Sequence, residues 1–100
     1  MIRKRERLAK YLLDQMFNGL LDELLKEKIE CDTATHAIVK TNDSRISIHD
    51  DKIMKFLENE GKGFTLITAD LGLGKHCFDR GLNCVPINQK QLVPDHIRKL

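Results

Sequence analysis

The sequence predicts a small α/β domain in which a short parallel sheet is covered by helices. Three observations lead there. Strand-like and helix-like patterns alternate from Ile46 onward with short connections, an amphipathic stripe runs through the N-terminal quarter, and 100 residues allow one hydrophobic core but not two. Hydrophobic residues make up 41% and charged residues 32%, an ordinary globular balance. With no Trp and few aromatics, the core must be mostly aliphatic.

Each element has its own signal. Leu8, Leu12, Met16, Leu20 and Leu24 recur at every fourth position, with Phe17, Leu21 and Leu25 widening the stripe, which predicts an amphipathic helix over residues 3–28. Asn18-Gly19 marks a place where that helix kinks or breaks, because glycine costs about 1 kcal/mol relative to alanine in a helix. Asp32, Thr33 and Thr35 read as a turn or a helix start, and Ala37 to Val39 is too short to type. The turn formers Thr41 to Ser44 precede Ile46-Ser47-Ile48, an alternation that predicts a strand ending at His49. His49 or Asp50 then caps a helix over residues 50–60, with Gly61 and Gly63 at its exit. Phe64 to Thr68 predicts a buried parallel strand at the centre of the sheet. Leu73 to Arg80, closed by Gly81, predicts a short helix, and Asn83 to Ile87 a strand held to an edge by Pro86. The domain is thus expected over residues 1–87, followed by a polar tail over 88–100.

Bulk properties exclude several classes. No apolar stretch approaches the roughly 20 residues needed to span a bilayer, so no membrane partner is expected. The basic opening Arg3, Lys4, Arg5 and Arg7 is followed by Glu6, Lys10 and Asp14 without an apolar run, so it is no secretory signal, and a cytoplasmic or nuclear location is expected. Cys31, Cys77 and Cys84 lack any C-x-x-C pairing and suit reduced, buried thiols better than disulfides or zinc. A net charge of +2 is too small to define a polyanion partner.

In open parallel sheets, ligands bind outside the carboxyl ends of the strands, where loops and helix N-termini converge. That edge is expected to collect His49, Asp50, Asp51, Thr68 and Asp70. Carboxylates held together repel one another unless a cation neutralises them, which suits Mg²⁺ or Mn²⁺ and, through a metal-activated water, attack on a phosphodiester. The same residue types also serve as helix caps and turn formers, so spacing alone is equally met by Asp50, Asp51 and Asp70 acting structurally.

One run of residues narrows the choice. His49-Asp50-Asp51-Lys52-Ile53-Met54, then Leu66-Ile67-Thr68-Ala69-Asp70, then Leu73, Cys77, Gly81 and Val85-Pro86-Ile87 together resemble the C-terminal half of a PIN domain. The resemblance implies a three-layer α/β/α sandwich and a metal-dependent nuclease acting mostly on RNA. It implies metal ligation and catalysis by Asp50 or Asp51 and by Asp70, with Thr68 lining the site. Leu20-Leu21-Asp22-Glu23-Leu24 resembles the family's glutamate-bearing helix and adds Glu23. A PIN domain also opens with a hydrophobic strand ending in an aspartate, and here a basic helix is expected in its place. Asp32-Thr33 imitates that ending, but only 16 residues separate Thr33 from Asp50. The expectation is therefore a truncated, degenerate or partner-completed member.

Lys75, His76 and Arg80 are expected to touch a phosphate backbone, or else to form a solvated helix face. Gly72-Leu73-Gly74-Lys75-His76 is no phosphate loop, since that motif requires glycine at Ala69 and a hydroxyl at His76. Two other functions remain open. One is a non-catalytic module that binds a protein, or a second copy, through the N-terminal helix; the other is a plain RNA-binding domain using Arg3, Lys4, Arg5, Arg7 and Lys10.

Overall fold

The computed structural model describes residues 10–41, 43 and 45–87. The chain forms β1 (Lys10–Leu13), a 3-10 helix (Gln15–Leu20), α1 (Leu21–Lys26), β2 (Cys31–Thr33) and a π-helical turn (Thr35–Val39). It continues with α2 (Asp50–Glu58), β3 (Phe64–Thr68), α3 (Leu71–Asp79) and β4 (Cys84–Pro86). All four strands are parallel, in the order β2-β1-β3-β4. This is the expected α/β sandwich with a small parallel sheet.

Strand alternation builds the three layers. Tyr11, Leu13 and Ile67 point to the face covered by the 3-10 helix and α1, where they pack with Phe17, Leu20 and Leu24. Leu12 and Leu66 point the other way, into a cluster with Ile53, Met54 and Leu57 of α2 and Leu73 and Cys77 of α3. Both faces of the central strands are buried, so β1 and β3 read as continuous apolar runs.

The N-terminal quarter is where the sequence expectation fails. Residues 10–28 are not one helix but a strand, a 3-10 helix and a short α-helix. The fourfold leucine spacing is split across the sheet: Leu12 lies in one core cluster, Leu20 and Leu24 in the other, and Met16 is 46% exposed. Tertiary pairing of Tyr11-Leu12-Leu13 with strands on both sides overrides local periodicity. The chain therefore has a first strand followed by an aspartate, Asp14, which the sequence reading took to be missing. The expected partner-binding helix face is likewise consumed, since Phe17, Leu20 and Leu24 are buried in the chain's own core. Arg3, Lys4, Arg5, Arg7 and the 88–100 tail lie outside the described residues.

No break falls at Gly19, which lies inside the 3-10 helix; the change to α-helix comes at Leu21. Ile46 to Ile48 is not a strand. Both sides of β3 are already occupied by β1 and β4, and Ile48 instead packs against the α2–α3 core cluster. β3, α2, α3 and β4 fall within two residues of their expected bounds, and β4 is an edge strand as Pro86 requires. Gly61 approaches the Phe56 ring so closely that a Cβ there would stand 2.2 Å from it. Gly81, at φ 70°, ends α3 in the left-handed conformation. Among the described residues, no helix is long and apolar enough to cross a membrane.

Candidate functional site

The strand order sets where a site forms. From β1 the chain crosses over one face to β2, and from β3 it crosses the opposite face to β4. The two crossovers diverge between β1 and β3, which makes their carboxyl ends the switch point of the sheet, where a crevice opens. The residues leaving those two ends are Asp14 after Leu13 and Thr68-Ala69-Asp70 at the end of β3.

Thr68 ties them together. Its side chain is fully buried, and its hydroxyl donates to Asp14 Oδ2 at 2.5 Å while accepting from the Asp70 backbone N–H at 3.0 Å. Asp14 is 8% exposed, and its Oδ1 accepts from Gln15 N–H at 2.8 Å, opening the 3-10 helix. Asp70 Oδ1 accepts from Leu73 N–H at 3.1 Å and so caps α3. The Ala69 N–H donates to Met16 Sδ at 3.0 Å, holding the loop after β3 against the segment after β1. The Thr-x-Asp sequence thus clasps the Asp14 carboxylate to the backbone N–H of Asp70.

Asp50 completes the group from the start of α2. It is not the cap: His49 holds that position, with its carbonyl accepting from Lys52 and Ile53. Partial burial pushes the Asp50 carboxyl above its ordinary value, and the negative charges of Asp70 and Asp14 push it further, with a smaller push from Asp51. His76 opposes them. Asp14 and Asp70, from two other stretches of the chain, therefore both act on Asp50 at the carboxyl edge.

The raised value has a consequence for stability. Between the unfolded and folded pKa of Asp50, the native state binds more protons than the unfolded chain, so stability falls as pH rises through that interval. Asp50→Asn is accordingly expected to raise the melting temperature at pH 7 in a chelating buffer. The gain should shrink as the pH falls through that interval and be gone below about 4, where both states are protonated. A melting temperature at pH 7 no higher than that of the unaltered protein would contradict mutual repulsion in this group.

The other expected residues are placed as follows. Asp51 is exposed on α2, and Glu23 is exposed on α1, across the sheet from α2. His76 is exposed on α3 but close enough to act on Asp50. Lys75 lines an apolar crevice with Leu71 and Phe78. Arg80 lies at the far end of α3, a helix of 9 residues, and pairs with Glu58 at 3.3 Å. That places Arg80 roughly 14 Å along the helix from Asp70, so it does not join the acidic group. Asp32 is bound by His36 Nδ1 at 2.9 Å on the β2 side, and Lys10 pairs with Glu30 at 3.7 Å.

Asp14 is the residue that sequence reasoning missed. Its signal was present as Tyr11-Leu12-Leu13-Asp14, a short apolar run ending in an acid, but the overlapping fourfold leucine spacing concealed it. Among the described residues, no group of three or more His, Cys, Asp or Glu is arranged to hold a metal ion. The three cysteines are free. Burial pushes the Cys31 thiol up to about 11 and the Cys84 thiol up to about 12, so both stay protonated at neutral pH.

No protein-family model, curated protein or solved structure matches the chain.

Proposed function

We propose that the chain is a PIN-like, metal-dependent ribonuclease domain whose acidic group consists of Asp14, Asp50 and Asp70. The observation that carries this reading is the Thr68 clasp joining Asp14 to Asp70, beside an Asp50 whose pKa both of them raise. A PIN domain opens with a hydrophobic strand ending in an aspartate, and Lys10–Leu13 followed by Asp14 supports that assignment. Carboxylates that repel one another suit Mg²⁺ or Mn²⁺, which take one or two carboxylates and keep several waters.

When bound, such a cation supplies an activated water and neutralises charge at a phosphodiester. Asp14 and Asp70, held in register by Thr68, would position it. Asp50 is the carboxylate whose raised pKa suits it to accept a proton from the attacking water. Asp51 is the alternative ligand from the same helix start, and Thr68 is a clasp rather than a contact to RNA. His76 is the side chain that opposes the rise at Asp50, with Lys75 one residue before it on α3.

The test is cleavage of a single-stranded RNA in Mn²⁺. The full chain should cleave, and Asp70→Asn should lose both cleavage and the rise in melting temperature that Mn²⁺ brings. Cleavage unchanged in Asp70→Asn rejects the reading. The alternative, a non-catalytic protein-interaction or RNA-binding module, draws on the exposure of Leu71 (73%) and Phe78 (82%) on α3. It predicts no cleavage in Mn²⁺.

A further inference from the structure

A second concavity lies one strand over from the acidic group, where β2 ends and the 3-10 helix turns into α1. It has a volume of about 360 Å³ and is lined by Asn18, Asp22, Thr33, Thr35 and Thr41. Two of these side chains carry a buried oxygen with no hydrogen-bond partner, namely Asn18 Oδ1 and Thr35 Oγ1. Thr35 is only 1% exposed. Buried polar atoms are ordinarily satisfied, so two orphans on residues that line one crevice ask for a ligand that brings hydrogen-bond donors.

The lining narrows the chemistry. Among the described residues its polar side chains are hydroxyls, one amide and one carboxylate, with no lysine or arginine, so Asp22 repels a phosphate there. A neutral group rich in hydroxyl donors fits instead. Its position narrows the source. Asn18 follows Asp14 by four residues on the 3-10 helix that Asp14 opens, and β2 is the neighbour of β1. The crevice therefore lies about one to two strand spacings, roughly 5–10 Å, from the carboxylates, along the same edge of the sheet.

Resting on the ribonuclease reading, we infer that this crevice is a ribonucleoside subsite: it takes the sugar of a nucleotide next to the cleaved phosphate and bonds its 2′-hydroxyl through Thr35 Oγ1 and Asn18 Oδ1. The 2′-hydroxyl is both donor and acceptor and is the group by which a protein tells RNA from DNA. The crevice then confers RNA preference on a site whose carboxylates carry none.

The experiment uses the full chain carrying Asp70→Asn, so that RNA is not consumed, and measures binding of a fluorescent single-stranded RNA pentamer and its DNA counterpart. The RNA is expected to bind about five- to tenfold more tightly. Adding Thr35→Val should bring RNA affinity down to the DNA level and leave DNA affinity unchanged. The same substitution replaces an unpartnered hydroxyl by a methyl, so its melting temperature should be equal or higher, and lost binding cannot come from lost folding. Asn18→Ser serves as the second variant, with the same expected loss of RNA preference. Equal RNA and DNA affinity before substitution, or RNA affinity unchanged in both variants, overturns the subsite and leaves a crevice that holds only water. A chain that fails to cleave RNA but loses RNA preference on Thr35→Val keeps the subsite and rejects the nuclease. Cleavage with no effect of Thr35→Val does the reverse.

Discussion

Asp14→Asn is expected to reduce Mn²⁺-dependent RNA cleavage by about 10²-fold or more while the protein remains folded. Asn keeps the shape of the side chain, and its oxygen can still accept from the Gln15 N–H that opens the 3-10 helix. What it removes is one of the negative charges in the group, and metal-based stabilisation of charge contributes several kcal/mol to such reactions. The folding cost is smaller. The amide would direct an N–H at the Thr68 hydroxyl, which already accepts from Asp70 N–H, so one hydroxyl proton loses its acceptor at a cost of about 1 kcal/mol. A cleavage time course with the melting temperature measured on the same sample checks both parts. Asp14→Asn should also lower the pKa of Asp50, because the Asp14 charge is one of those that raise it. Full activity in this variant would remove Asp14 from the site.

Thr68→Val should give the largest loss of stability among the substitutions considered. Valine matches threonine in volume, so packing is retained, but the fully buried hydroxyl disappears from between two partners. Asp14 Oδ2 loses its donor in a position 8% exposed, and the Asp70 N–H loses its acceptor. Stranding a buried charged group costs about 2–3 kcal/mol. For a domain of this size that corresponds to a drop in melting temperature of roughly 10–20 °C. Thr68→Ser keeps the hydroxyl and should recover most of the loss, giving up only one buried methyl at about 1 kcal/mol. A Val variant as stable as the Ser variant would show that the clasp contributes nothing. Cleavage should fall in Thr68→Val beyond what stability explains, since Asp14 and Asp70 would no longer be held in register.

Much of the second half of the domain was legible residue by residue. Phe64 to Thr68 is apolar, β-branched and bounded by turn residues, so only one reading was open to it, and the strand has those bounds. The start of α2 at Asp50 and the exit at Gly61 follow from local chemistry, as does the restriction of Pro86 to an edge strand. Asp50, Asp51 and Asp70 were nominated because strands were expected to hand over to helices there. The first half was not legible in the same way. Tyr11 to Leu13 fits both a helix face and a buried strand, and three residues carry too little periodicity to decide between them. Cys31 to Thr33 is just as short, and a parallel strand has no hairpin turn to announce its partner.

What the amino-acid order determined by itself is local: where helices begin and end, which runs are apolar enough for the interior, and which acids stand beside strand ends. What only the tertiary structure decided is non-local. β1 exists because β2 and β3 bury it from both sides, and Asp14 joins Asp70 because Thr68, 54 residues further along, closes on it. Periodicity reports only which face of its own element a residue occupies. Which strand lies beside which is set by burying both faces of the sheet at once, and that summed free energy belongs to the whole chain.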